Sequence, residues 1–516
     1  MTIFRAAICA ALSLLCSAMS LSAQDVTLSS PDGAVEITGN LLGFDGEFYR
    51  VDTKFGELTV DGSGVRCDGP GCPSLSDFIA EITLSGSAAM AEILLPALIE
   101  GYALRNGYQT HRNHLQGEDF EYLLRSSGGA TIARFVFHVG NTDAGFRDLF
   151  DNAADIVMSQ REVRRAELDQ ARSLGLGDLT QPNRSRVLAL DGLVPIVSAH
   201  NPIQHITLPQ VAQVLSGNIS NWSQLGGPDA PILVHLPFAD TGMAQAISDQ
   251  FLPDAPVIKT AERHDRVDTL ARHVAIDPFA FGIGLYSTPA ATRVLQISGE
   301  CGFDLQANRR SIKTEDYPMT APLFLYLPAR RLPKIGREFL AYVRGPAAQI
   351  VIRRAGFVDQ APEFVSIEAQ GNRLANAISA AGAEVKLESL HRMVAVLSDL
   401  ERQTTTFRFE PGSTRPDAQS RSNIQQLARE LEAGVYDGRK LVFVGFSDGQ
   451  GPAEGNQKIS LKRAGAVRDA VLKAGETANL ERVDITIEAF GEAMPMACDD
   501  SSWGRKVNRR VEVWVR

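Results

Sequence analysis

The chain has 516 residues, which is too many for a single hydrophobic core and predicts about three domains of about 150 residues each. Hydrophobic residues make up 44% of the chain and charged residues 22%, a balance that excludes extended disorder and a membrane-embedded protein. The 51 basic and 61 acidic side chains give a net charge of -10, and no dense Lys/Arg run occurs, so nucleic acid is excluded as a partner.

The N-terminus has the outline of an export signal. Arg5 precedes an apolar run from Ala6 to Leu21, and the small residues Ser22-Ala23 end it. The run is too short for a membrane span, so we expect a soluble mature protein in the periplasm, with residues 1–23 removed as a signal peptide. Lipidation at Cys16 is the less favoured alternative, because Leu15 stands where a lipoprotein signal normally has a small residue.

Residues 24–80 predict a small β module. Short runs of alternating apolar and polar residues are separated by Asp-Gly steps at Asp32-Gly33, Asp45-Gly46 and Asp61-Gly62. Asp-Gly between such runs is typical of hairpin turns. The sequence assigns this module no chemistry, and we expect it to serve packing or interaction.

Four cysteines remain once the signal is removed, and an exported chain favours disulfides. Cys67 and Cys72 enclose Asp68-Gly69-Pro70-Gly71, a turn-forming stretch that predicts a bridge between them. Cys301 and Cys498 lie in different predicted domains. They are either paired or separate buried thiols.

Strands and helices alternate over residues 81–360, which predicts an α/β architecture. This segment resembles the PstS-like periplasmic phosphate-binding proteins of ABC transporters. The matching stretches, in order, are 84–87 (LSGS), 145–159 (ending ADIVMS), 191–197 (DGLVPIV), 215–222 (LSGNISNW), 225–227 (LGG), 281–286 (FGIGLY), 317–319 (YPM) and 355–358 (AGFV).

The resemblance implies a two-lobed type II periplasmic-binding-protein fold with a small solute, phosphate or another oxyanion, held in the cleft. It also implies an ABC transporter or another envelope protein as partner. Position by position, the implied solute-binding residues are Ser87, Thr142, Ser159, Gln160, Thr241 and Gly242.

The position-by-position comparison also shows departures from the family pattern. The first-loop threonine falls on Ala89, the proton-accepting carboxylate falls on Gln160, and the third-loop arginine falls on Pro237. Loss of a charge-assisted donor costs roughly 1.5–3 kcal/mol, so we expect phosphate to bind weakly or another solute to replace it. Arg161 and His235 are candidates to compensate.

Residues 361–403 are rich in Ala, Leu and Glu and predict a helical connector. Residues 404–516 predict an α/β sandwich, with a helix over Ala418–Glu432, a strand over Lys440–Phe446, a loop over Ser447–Ser460 and a helix from Leu461. This last segment resembles OmpA-like peptidoglycan-binding domains, in the form of a βαβα sandwich. The matching blocks are 444–448 (VGFSD), Asn456, 459–464 (ISLKRA), 490–495 (FGEAMP) and 508–512 (NRRVE).

The resemblance implies binding of peptidoglycan through the diaminopimelate arm of its stem peptide, which carries an ammonium and a carboxylate on one carbon. Such a zwitterion requires an anion and a cation held close together. The resemblance implies that Asp448 binds the ammonium and Arg463 binds the carboxylate, with Asn456 and Arg509 in supporting roles.

The sequence thus predicts a multidomain α/β protein that is tethered non-covalently to the cell wall and presents a solute-binding domain in the periplasm. The alternative is a structural envelope protein whose cleft serves protein contacts. No nucleophile elbow, metal-ligand spacing or phosphate-cradling Gly-Lys loop occurs, so we expect no enzyme, no metal and no cofactor.

Overall fold

The structure, a computed structural model, describes residues 25–516 except for residues 76, 77, 254, 289, 383 and 411. The predicted export signal over residues 1–23 lies outside the described residues. Among the helices that are described, none combines the length and the apolar character that a membrane span requires. The predicted multidomain α/β architecture is confirmed.

The N-terminal module is a five-stranded antiparallel sheet in the order β4-β3-β2-β1-β5. Its strands are β1 (Val26–Ser29), β2 (Glu36–Phe44), β3 (Phe48–Thr53), β4 (Gly56–Asp61) and β5 (Arg66–Asp68). The carboxylate of Asp45 accepts hydrogen bonds from the backbone N–H groups of Glu47 and Phe48 and closes the β2–β3 turn. Cys67 and Cys72, with Cα atoms 5.9 Å apart, are disulfide-bonded.

The middle domain is built on one mixed sheet in the order β14-β13-β15-β11-β19-β10-β6-β9-β8-β7, with β16 paired to β11, and on a small three-stranded sheet. Its strands are β6 (Ala80–Ser87), β7 (Gln109–His114), β8 (Phe120–Arg125), β9 (Thr131–Gly140), β10 (Ile156–Ser159), β11 (Ser185–Ser198), β12 (His205–Ile206), β13 (Leu233–Pro237), β14 (Glu262–His264), β15 (Ala280–Leu285), β16 (Thr292–Val294), β17 (Gln296–Ser298), β18 (Asp304–Leu305) and β19 (Thr320–Tyr326). Its helices are α1 (Leu95–Asn106), α2 (Thr142–Phe150), α3 (Arg165–Ser173), α4 (Leu208–Ser216), α5 (Gly242–Phe251), α6 (Val267–Ile276), α7 (Arg309–Lys313), α8 (Lys334–Tyr342) and α9 (Pro346–Arg354). A π-helical turn over Met90–Leu94 leads into α1.

The 14-residue strand β11 divides this domain into two lobes. Its first half, from Ser185 to Gly192, pairs with β19, and its second half, from Leu193 to Val197, pairs with β15. The residues from Val187 onwards are buried, as expected for a strand covered on both faces. The shared strand therefore places a cleft between lobe 1, which carries β6–β10, and lobe 2, which carries β13–β15.

The C-terminal unit is a five-stranded sheet in the order β20-β21-β24-β22-β23 with helices on both faces. Its strands are β20 (Phe364–Val365), β21 (Glu401–Arg408), β22 (Lys440–Phe446), β23 (Asp484–Ala489) and β24 (Arg510–Val515). Its helices are α10 (Gly371–Ser379), α11 (Leu387–Leu397), α12 (Ala418–Glu432), α13 (Ala453–Ala474) and α14 (Ser502–Asn508).

The segment expected as a separate connector is instead part of this unit. Strand β20 pairs with β21, and helices α10 and α11 bury Ala377, Met393 and Leu397 against Val444 and Trp514 on the sheet face opposite α12 and α13. The physical reason is that strand β22 is apolar on both faces and therefore requires helices on both.

The middle and C-terminal units are joined by a covalent link and by buried ion pairs. Cys301 and Cys498, whose pairing the sequence left open, are disulfide-bonded across the boundary. Asp316 of the middle domain accepts hydrogen bonds from Arg402 and Arg408 of β21. The two units are thus held against each other at several points.

Candidate functional site

The first candidate site lies where strand β22 ends and helix α13 begins. Ser447 and Asp448 directly follow β22, and Asn456 and Arg463 lie on α13. The helix begins at Ala453, eight residues before the predicted start at Leu461, so Asn456 lies on a helix rather than in a loop. Arg509 follows α14 directly. The fold therefore brings all four predicted wall-binding residues to one end of the sheet.

Arg463 is buried, with 4% of its surface exposed, although it has no carboxylate bonded to it among the described residues. Its guanidinium donates to the carbonyl oxygen of Ser413 over 3.3–3.4 Å and lies over the ring of Phe409. Burial lowers the pKa of Arg463, the nearby Arg509 lowers it further, and Asp448 opposes the shift. The guanidinium is thus a buried cation whose bonding capacity is only partly used.

Asp448 forms its ion pair with Arg509, with Oδ2 and Nη1 2.5 Å apart, and not with Arg463. Two guanidinium groups therefore face one carboxylate. The hydroxyl oxygen of Ser447, the residue before Asp448, is buried and has no hydrogen-bond partner among the described residues. An excess positive charge and an unused hydroxyl are the groups that a ligand carboxylate would engage.

The walls of this site are fixed by side-chain hydrogen bonds from other elements. The amide of Asn456 donates to the carboxylate of Glu492. Asp499 accepts from the backbone N–H of Gly449 over 2.7 Å and from the side chain of Asn508 over 2.9 Å. Asp499 is adjacent to Cys498, so the disulfide that joins the two units also anchors the segment supporting this loop.

The second candidate site is a cavity of about 330 Å³ between the two lobes. Three helical segments begin at its wall, namely the π-turn after Ala89, helix α5 after its N-cap Thr241, and helix α6 after Arg266. Helix N-termini carry partial positive charge and can hold an anion. The charged side chains of the cavity wall are mostly negative. Among the described residues that line it, Glu92, Asp265 and Asp268 carry carboxylates and only Arg266 carries a positive charge.

The structure divides the six predicted solute residues into two groups. Gln160, Thr241 and Gly242 line the cavity. A Cβ atom at position 242 would lie 2.5 Å from Oε1 of Gln160, so glycine allows lobe 1 to rest against the start of α5. The other three residues are buried and are absent from the lining, namely Ser87, Thr142 and Ser159.

The hydroxyl groups of those three residues have different surroundings. Thr142 accepts from the backbone N–H of Gln160, and Ser159 donates to the carbonyl oxygen of Arg161. The Ser87 hydroxyl is buried without a hydrogen-bond partner, next to Ala88 of the cavity wall. Among the three, Ser87 is the one whose hydroxyl is not used within the protein.

The compensating roles considered for Arg161 and His235 do not fit the geometry. The guanidinium of Arg161 is engaged by Asp143 and Glu167. His235 is buried against His264, 2.9 Å away, and is absent from the cavity lining. Sequence reasoning missed the contact between Arg266 of lobe 2 and Glu92 of lobe 1, 3.8 Å apart, because no local motif links positions so far apart.

Comparisons with known proteins match the two-lobed domain and the C-terminal unit separately. The family model described as "PBP superfamily domain" matches residues 76–346, which is more than half of the 516-residue chain. The model described as "OmpA family" matches residues 408–509.

Individual proteins are similar to one or the other of these two segments. The phosphate-binding protein PstS of Borreliella burgdorferi is 22% identical over 251 residues, covering 46% of this chain and 84% of that protein. The peptidoglycan-associated lipoprotein of Pseudomonas putida is 36% identical over 115 residues, covering 22% of this chain and 63% of that protein. The crystal structure of an ABC-type phosphate transport receptor from Vibrio cholerae matches with a TM-score of 0.43 and 20% identity, over 54% of this chain and 99% of the receptor.

Proposed function

This chain belongs to the PBP superfamily and carries an OmpA-family domain over residues 408–509, and from that premise we propose that it is a non-enzymatic protein of the cell envelope. In this proposal the C-terminal unit binds peptidoglycan and the two-lobed domain presents a solute-binding cleft in the periplasm. Transport or sensing partners then reach a receptor that is fixed to the wall.

The observation that carries the wall-binding proposal is the arrangement of charge around Asp448. One carboxylate faces the guanidinium groups of Arg463 and Arg509, and the hydroxyl of the preceding Ser447 has no hydrogen-bond partner among the described residues. A diaminopimelate arm adds one carboxylate and one ammonium. Its carboxylate neutralises the excess positive charge at Arg463, and its ammonium is taken by Asp448.

For the cleft, we propose that it selects a solute other than phosphate or binds phosphate weakly. Glu92 and Asp268 lie in the first turns of their helices, so carboxylates of the protein already face the positive helix ends that an oxyanion would use. Arg266 is paired with both of them, at 3.8 Å and 3.1 Å. A phosphate dianion would enter a cavity that already holds an excess of negative charge.

A sedimentation assay tests the wall-binding proposal. The full chain is expected to co-sediment with diaminopimelate-type sacculi, and Asp448→Ala is expected to abolish this. Asp469→Ala is the matched control, because Asp469 lies on α13 with its side chain 65% exposed and should leave binding unchanged. Equal sedimentation of Asp448→Ala and wild type, with both folded by circular dichroism, would remove the proposed site.

The alternative function, a structural envelope protein with an unused cleft, differs in its response to solutes. A solute that binds in the cleft stabilises the folded state by mass action and raises the melting temperature. A cleft that no longer binds a solute leaves the melting temperature unchanged with every solute tested. A thermal-shift screen of the full chain therefore distinguishes a solute-binding protein from a structural envelope protein.

A further inference from the structure

A cluster of metal-ligating side chains lies in lobe 2, outside both sites described above. Strands β13 and β14 are parallel neighbours at the edge of the large sheet, and their register places His235 opposite Glu262. His264 follows two residues after Glu262, so the side chains of residues 262 and 264 lie on the same face of the strand. One ligand atom from each of His235, Glu262 and His264 lies within 4.8 Å of the other two.

The distances fit a single small cation. Nδ1 of His235 lies 2.9 Å from Nε2 of His264 and 3.7 Å from Oε2 of Glu262. In a tetrahedral zinc site with metal–ligand bonds of about 2.0–2.1 Å, neighbouring ligand atoms are about 3.3 Å apart. Those two separations lie on either side of that value, and the ligand atoms of His264 and Glu262 lie within 4.8 Å of each other, so rotation of the exposed Glu262 side chain towards the pair would bring all three to one ion.

The two imidazoles are buried within lobe 2. His235 is 4% exposed and His264 is 6% exposed. Glu262 is exposed and brings a carboxylate to the solvent side of the pair.

Two further side chains lie next to the cluster, Arg263 on β14 and His273 on α6. Arg263, the residue between Glu262 and His264, donates to the carbonyl oxygen of Pro237. The ring of His273 is tilted against that of His264, with centroids 4.8 Å apart, and covers one side of the cluster.

We propose that His235, His264 and Glu262 form a site for a divalent transition metal, with Zn²⁺ as its natural occupant. Two imidazoles and one carboxylate suit zinc in both ligand type and number, and the exposure of Glu262 leaves the fourth position to water. The large separation along the chain explains why the sequence shows no metal motif.

The site is connected to the cleft through the backbone. His264 directly precedes Asp265 and Arg266, which line the cavity, and His235 lies two residues before Pro237 of the same lining. A bound ion would cross-link the ends of β13 and β14 from which these wall residues project. Metal occupancy would therefore stabilise the lobe 2 wall of the cleft.

The test uses the full chain stripped of metal by chelation and then titrated with ZnCl₂ against a chromogenic chelator. One equivalent of Zn²⁺ is expected to bind with high affinity. Loss of a ligand in His264→Ala or Glu262→Gln should weaken binding by at least about a hundredfold, because loss of a mere supporting group already costs 10–100-fold in metal sites. Glu262 is exposed, so Glu262→Gln keeps the fold intact.

His205→Ala is the matched control. His205 is an exposed histidine whose Nδ1 lies 3.2 Å from a carboxylate oxygen of Asp304, so it resembles the cluster but offers only one imidazole. Its substitution should leave the affinity for Zn²⁺ unchanged. The proposal is overturned if the wild type binds no Zn²⁺ at one equivalent, or if Glu262→Gln and His264→Ala both retain wild-type affinity.

Discussion

At the residue scale, Arg463 supports the proposal that the C-terminal site receives a ligand. A buried guanidinium is costly unless it is paired with a carboxylate and fully hydrogen-bonded. Arg463 meets a single carbonyl oxygen and an aromatic face, while Asp448 is bonded to Arg509. The unmet bonding capacity of Arg463 is what a carboxylate from outside the protein would satisfy.

Arg463→Lys tests this role while keeping the charge. An ammonium cannot present the planar fork that binds a carboxylate through two hydrogen bonds, so one charge-assisted hydrogen bond worth about 1.5–3 kcal/mol is lost. Affinity for diaminopimelate-type sacculi is expected to fall roughly tenfold to a hundredfold. Arg468→Lys on the same helix, where Arg468 pairs with its neighbour Asp469, should bind like wild type. Full binding by Arg463→Lys would show that only the charge matters.

At the element scale, the contact between the segment after α7 and strand β21 is a buried cluster of ion pairs that couples the two units. Asp316 is buried and accepts from Arg402 over 2.7 Å and 3.1 Å and from Arg408 over 3.2 Å. Burial alone would raise its pKa, but the charge and hydrogen bonds of Arg402 outweigh burial and lower the pKa of Asp316 to about 2.

Asp316→Asn is therefore expected to destabilise the C-terminal unit at pH 7 by about 3–5 kcal/mol, because it removes the charged partner of the buried Arg408 and leaves Arg402 with Glu512, 3.4 Å away, as its remaining carboxylate among the described residues. A carboxylate with a depressed pKa stabilises the fold above its unfolded pKa of 3.8, and this contribution is lost as the pH falls through about 2. The difference in unfolding free energy between variant and wild type should hence shrink from pH 5 towards pH 2.

Urea unfolding followed over that pH range measures this difference. Asp399→Asn serves as the control, because Asp399 and its partner Arg516 are 71% and 67% exposed and their contact should contribute little. A difference between Asp316→Asn and wild type that stays constant down to pH 2 would contradict the assigned pKa.

The start of α13 and the position of α10 and α11 mark where local sequence fails to predict the elements. Residues 453–460 are mostly polar and lack helical periodicity, so the sequence predicted a loop there. The extra turns are held by tertiary hydrogen bonds: the backbone N–H of Ala453 donates to the carboxylate of Glu384, and the side-chain amide of Gln457 donates to the carbonyl oxygen of Ala489. The composition and apolar pattern of residues 361–403 predicted a helical connector but could not predict which sheet face α10 and α11 cover.

In the candidate sites, too, local sequence can suggest the residues of one segment but not their partners from remote segments. Asp448 and Arg463 belong to blocks whose spacing within one βα unit carries the resemblance, so a sequence can suggest them. The partners that complete the sites come from remote segments, as Arg509 does for Asp448 and Arg266 does for Glu92. His235 and Glu262 meet only because β13 and β14 pair in parallel, a long-range event that no local pattern encodes.

For the whole molecule, the contacts between the units restrict motion of the two-lobed domain relative to the C-terminal unit, which we propose to bind the wall. The Cys301–Cys498 disulfide and the buried Asp316 contacts join the two units. Ion pairs from Arg331 and Arg337 to Asp45 and Glu47 attach the N-terminal module to lobe 1. We infer that solute capture takes place at a fixed distance from the wall.

A phosphate titration of the full chain by calorimetry examines the cleft of this assembly. Binding weaker than about 1 μM, or no binding, is expected, because Glu92, Asp265 and Asp268 outnumber the single arginine of the lining. Glu92→Gln should strengthen phosphate binding relative to wild type, since it removes one repelling charge. A submicromolar affinity of the wild type for phosphate would contradict the proposal.

The most direct test of the central claim is a calorimetric titration of the full chain with two purified stem peptides, one carrying diaminopimelate and one carrying lysine at the same position. The lysine peptide lacks the side-arm carboxylate assigned to Arg463. The account predicts saturable binding of the diaminopimelate peptide, binding of the lysine peptide at least about tenfold weaker, and loss of both in Asp448→Ala. Equal affinity for the two peptides, or binding that survives Asp448→Ala, would contradict it.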